Sequence, residues 1–75
     1  MQASAVYNVF HRKQKPALHC AVVQGRPVPS FVTNELWSFG STIRDSEAVP
    51  AGFRPEIARA AMKLTGYYLF HALNA

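Results

Sequence analysis

With 75 residues the chain has room for one domain only, and its 49% hydrophobic and 16% charged content is that of a folded protein, not a disordered one. The single cysteine, Cys20, excludes an internal disulfide, and no apolar run is long enough to cross a bilayer as a helix. The net charge of +4 belongs to residues 1–34, which hold Arg12, Lys13, Lys15 and Arg26 and no acid, whereas four cations and four carboxylates cancel beyond them.

Residues 5–12, "AVYNVFHR", are β-branched and aromatic with no Gly or Pro, which predicts a strand. Alternation sets Tyr7, Val9 and His11 on one face and Val6, Asn8 and Phe10 on the other. The polar run "RKQKP" predicts a hairpin loop, and "ALHCAVVQ", 17–24, a second strand antiparallel to the first. Gly25, Pro27 and Pro29 then mark a turn, and Ser30 is placed to cap one helical turn over "FVTNE". In "LWSFGSTIR", 36–44, strict alternation puts Trp37, Phe39 and Ile43 on one face of a half-buried strand, with Gly40 marking a bulge or a close approach.

"DSEAVPAG" reads as a loop that leaves Asp45 and Glu47 exposed to solvent. "PEIARAAMKLT", 55–65, has the marks of a helix: Pro55 at its first position, Glu56 near its positive end, Lys63 near its negative end and Gly66 as a left-handed cap. Its apolar stripe runs through Ile57, Ala60, Ala61 and Leu64, widened by Ala58 and Met62, with Arg59 opposite. "YYLFHAL", 67–73, predicts a last strand; a helix continuing to Leu73 is the alternative, with Gly66 costing about 1 kcal/mol in its interior. The order is β-β-β-α-β. It implies an α+β fold, a small antiparallel sheet of about four strands packed against one α-helix. Tyr-x-x-Phe-His occurs twice, at Tyr7–His11 and Tyr67–His71, and the last strand is expected beside the first, where aromatic pairs would stabilise both.

A helix shelters one face of a sheet, yet the last strand is apolar on both. The spare face needs either the 26–34 segment, with Phe31 and Val32, or another molecule over it. That imbalance predicts a non-enzymatic protein-interaction module that self-associates or takes another protein, with Tyr7, Phe10, Tyr67, Tyr68 and Phe70 as its surface. The alternative is a nucleic-acid binder that uses the same aromatics with Arg12, Lys13, Lys15 and Arg26 as contacts to phosphates or an acidic partner.

Catalytic chemistry finds little footing. Cys20 lies mid-strand among apolar neighbours, as an inert thiol does. His19 adjoins it and points the other way, so the two make a poor chelate, and His11, His19, His71 and Cys20 show none of the spacings of a zinc site. The glycines are scattered, so no phosphate loop forms. No metal, cofactor, small-molecule substrate or membrane partner is expected. The start "MQASAVYNVFHRK" lacks the basic-then-apolar order of a secretory signal, and with the lone thiol this points to the cytoplasm.

Overall fold

The apolar segments of the first half pair as a hairpin. In the computed structural model, which describes residues 5–73, β1 spans Val6–Arg12 and β2 spans Lys15–Val23, antiparallel and joined through Lys13 and Gln14. β3, Trp37–Arg44, takes the other edge of β1, and β4, Tyr68–His71, takes the free edge of β2. With α1, Pro55–Leu64, this makes a four-stranded antiparallel sheet of order β3-β1-β2-β4 and one helix, in β-β-β-α-β order. The α+β architecture is the one the patterning implies.

The last strand does not lie beside the first. The tight hairpin gives β1 one neighbour, and the segment 24–36 crosses the sheet to bring β3 in as the other, so β1 has no edge left and β4 takes the free edge of β2. The two Tyr-x-x-Phe-His stretches are therefore not partners: His11 opposes His19, and His71 opposes Leu18.

Nor do Trp37, Phe39 and Ile43 share a face. Val9 opposes Ser41 but Phe10 opposes Phe39, so Gly40 is an extra residue. Such a bulge inverts the parity of everything beyond it. Ile43 stays with Tyr7 on the inner face, while Trp37 and Phe39 join Phe10 on the outer one. A Cβ at position 40 would stand 3.2 Å from His11 Nδ1 and 3.3 Å from the Val9 carbonyl oxygen, closer than a larger residue tolerates without movement.

On the inner face Tyr7, Val9, Ala21, Ile43, Tyr68 and Phe70 pack with Ala58 and Met62 of α1. Phe53, from the loop before the helix, is their hub. Its ring meets Tyr7, Tyr68 and Phe70 edge-on at 5.3, 5.5 and 5.3 Å, the geometry that aromatic quadrupoles favour. Gly52 lets the loop arrive there: its φ is +99°, and any side chain would strike the backbone of His71.

The helix ends as its residues imply. Pro55 opens it, Lys63 lies in the last turn, and the Thr65 and Gly66 amides both donate to the Ala61 carbonyl, with Gly66 at φ +87°. Its buried stripe is rotated, however. Ala58 and Met62 face the sheet, while Ile57 and Leu64 are exposed. Arg59 turns toward β3, where its Nε donates to Asp45 Oδ2 at 3.3 Å. Asp45 is not solvent-exposed: its side chain is only 2% accessible, and its Oδ1 also accepts the Ala5 amide at 2.9 Å. One carboxylate thus ties together the entry to β1, the exit of β3 and the helix. The segment after Ser30 forms turns and no continued helix: the Val32 amide donates to the Pro29 carbonyl, and the Trp37 amide donates to that of Thr33, closing a single α-turn that starts later than the one expected from Ser30.

Replacing Phe53 by Ala should cost about 3–5 kcal/mol, against a total of about 4–11 kcal/mol for a domain of this length. Denaturant unfolding followed by circular dichroism checks this. An unchanged midpoint would remove Phe53 from the centre of the core.

Candidate functional site

The outer face is built by four residues in register, one per strand: Phe39, Phe10, Cys20 and Leu69. The segment after β2 runs over this face as a strap. Phe31 packs edge-on against Tyr67 at 4.9 Å and approaches Trp37 at 6.1 Å, and Val32 packs on the cluster of Cys20, Val22 and Trp37. Those three are thereby buried.

The cover is incomplete. Phe39 remains 58% exposed and Leu69 45%, and the strap adds Val28 and Phe31, which are exposed themselves. Phe10 lies half-buried with its ring edge-on to Phe39 at 5.8 Å. Of the five aromatics expected to form a surface, Phe10 and Tyr67 lie on this side, both half-buried. Tyr7, Tyr68 and Phe70 do not: strand alternation turns them toward α1 and Phe53, and they belong to the inner core. Phe39, which alternation alone had set beside Ile43, takes their place. The signal for it was Gly40, whose bulge reverses the strand's parity.

Charge is segregated along the same axis. Arg12 opposes Trp37 at one end of the β1–β3 ladder and Val6 opposes Arg44 at the other. At the Arg44 end, Arg44 and Arg59 lie 3.9 and 3.3 Å from Glu47 and Asp45, and at the start of α1 Arg54 lies 3.4 Å from Glu56. At the hairpin end, Arg12, Lys13 and Lys15 have no carboxylate partner among the described residues. The Arg12 guanidinium sits 5.7 Å over the Trp37 ring, a contact in which the ring face attracts the cation. Arg26 is not with them. It follows β2 at its far end, its amide donating to the Val23 carbonyl, and lines a separate cleft of about 410 Å³ with Val28, Phe31 and Tyr67. A second groove, of about 350 Å³, lies at the hairpin end between Phe10, Phe39, Trp37 and Lys13.

The donors considered for a metal are dispersed. The His11 and His19 rings are 6.3 Å apart, His19 stacks on Phe70 and shares a 2.9 Å hydrogen bond between Nδ1 and the Ala17 carbonyl, and His71 sits on the opposite face. Among the described residues no group of three or more histidine, cysteine or acidic side chains gathers to hold a metal ion. Burial pushes the Cys20 thiol up to about 11, which leaves it protonated and a poor nucleophile at neutral pH. The Tyr7 phenol is also raised, first by burial and then by the negative charge of Asp45, with Arg59 opposing.

No helix among the described residues is long and apolar enough to cross a membrane. Compared with family models, curated proteins and solved structures, the chain matches none, so its function rests on its own residues.

Cys20 provides a direct check on this packing. At pH 8 a thiol starting from 9.0 and raised to about 11 holds about 100-fold less thiolate, so alkylation should be slower by about that factor in the native protein than in urea. The same shift makes stability fall between pH 9 and 11, because the unfolded thiol ionises first. Equal rates in both states would mean that the strap does not shield Cys20.

Proposed function

We propose that this protein is a binding module that works by self-association, and that a second copy of the chain covers the outer face of the sheet. The role is assembly and not catalysis. The observation that carries the reading is a group of exposed large apolar side chains that share this side, Phe39 and Leu69 on the sheet and Val28 and Phe31 on the strap, whereas the exposed Ile57 and Leu64 belong to the helix. Apolar groups gathered in this way on a small protein mark a surface that another molecule covers.

Size and charge favour a second copy as the occupant. The molecule is a slab of 39 × 27 × 17 Å, whose broad face projects about 800 Å², the area one partner contributes to a standard interface. The row Phe39–Phe10–Cys20–Leu69 carries no formal charge. Arg12 and Lys13 border it at the hairpin end alone, so two copies that meet with those ends apart avoid opposing like charges, although each carries +4. A two-fold contact of this type needs only one self-complementary patch. It also supplies the second subunit on which domains with small cores often depend.

The expected outcome is a solution mass that rises from 8.3 kDa toward twice that value as concentration increases, read by sedimentation equilibrium. Leu69→Glu should hold the mass at the monomer without lowering the unfolding free energy by more than about 1 kcal/mol, since Leu69 is a surface position. A wild-type chain that stays monomeric at millimolar concentration would overturn the proposal.

A further inference from the structure

The geometry points to a second activity at the hairpin end: we infer that the groove between Phe10, Phe39 and Lys13 binds single-stranded nucleic acid. Three features converge there. The floor is aromatic, with Phe39 open to solvent, Phe10 half-buried beside it and Trp37 beneath. Lys13 lines the groove, and Arg12 and Lys15 flank it on the same hairpin, all without an ion-pair partner among the described residues. Asn34 and Ser38 add neutral hydrogen-bonding groups to the wall, and no carboxylate lines it. Glu35, in the adjoining turn, is exposed and outside the lining.

Each feature meets one part of a nucleotide. An open ring gives a base something to stack on, and mobile cations neutralise the phosphates on either side. Asp45 and Glu47 are held by arginines at the far end of the β1–β3 ladder and Glu56 by Arg54 at the start of α1, while Glu35, without an ion-pair partner among the described residues, lies beside the groove but outside its lining. A purely acidic peptide would use the cations and leave Phe39 without a role, whereas a duplex would keep its bases stacked away from it. At about 350 Å³ the groove is at the small end of the range for ligand sites, which suits one unstacked base with the chain continuing along the hairpin. This site does not depend on the self-association proposed above, since a monomer carries the whole groove.

The test is a titration of fluorescein-labelled single-stranded oligothymidylate, about a dozen nucleotides long, into the intact chain at concentrations where its mass is that of the monomer. Binding should register as a rise in anisotropy and a change in emission from Trp37, the only tryptophan. With up to three phosphate contacts, log K should fall against log salt with a slope of about −2, or about 20-fold between 50 and 200 mM. Phe39→Ala should weaken binding by about 5- to 100-fold, the loss of one stacked base, and Lys13→Glu should weaken it and flatten the salt slope. Lys63→Glu makes the same charge change at the far end of α1 and should leave affinity within about two-fold. Loss of binding in Lys63→Glu equal to that in Lys13→Glu would reduce the effect to net charge and overturn the inference. So would polyglutamate competing as well as the oligonucleotide at equal charge, or an unchanged affinity in Phe39→Ala.

Discussion

The structure turns on one geometric constraint: a sheet has two faces, and a ten-residue helix covers only one. Four strands of this composition are apolar on both sides, and burying apolar surface is the main favourable term available to so short a chain. The inner face is closed thoroughly. Phe53 plugs the space among Tyr7, Tyr68 and Phe70, and the small side chain of Ala58 lets α1 come close. Asp45, with Arg59 and the Ala5 amide, sets the rotation at which the helix sits.

The outer face is closed by a different device. The chain that must travel from the end of β2 to the start of β3 crosses it, and Phe31 and Val32 are dropped onto Tyr67, Trp37 and Val22 on the way. An irregular strap brings its own apolar surface and cannot interdigitate as a helix does. It hides Cys20, Val22 and Trp37, and it leaves Phe39 and Leu69 in the open on either side of itself. The surface proposed for self-association and the aromatic groove both come from this unfinished cover. The unpaired cations of the hairpin distinguish the groove end from the rest of the face.

Much of this was legible in the residues. The strand segments, the helix with Pro55 and Gly66 at its ends, and the surplus of apolar surface over helix all follow from local pattern. What failed depends on pairing across the chain. Which edge receives β4 is a matter of what is already occupied, and no local signal in Tyr68–His71 records that β3 has taken β1. The face assigned to Trp37 and Phe39 failed because a single glycine changes the count, and Gly40 suggested a bulge without saying what it would redirect. The placement of Tyr7, Tyr68 and Phe70 in the core follows from Phe53, a residue in a stretch rich in loop formers that gave no sign of its role. Asp45 likewise reads as a loop carboxylate until Arg59 is brought over it.

One side of the sheet is covered within the subunit by the helix and Phe53, and the other is the side on which we propose that a second copy sits. A neutral paramagnetic co-solvent measures this side by side in one NMR experiment. At low protein concentration the resonances of Phe39, Leu69 and Val28 should relax rapidly, and those of Phe53, Tyr68 and Met62 should be spared. As concentration rises, the first group should become protected while the second does not change. If the outer-face resonances stay equally exposed at every concentration, or are already shielded in the dilute monomer, the account is contradicted.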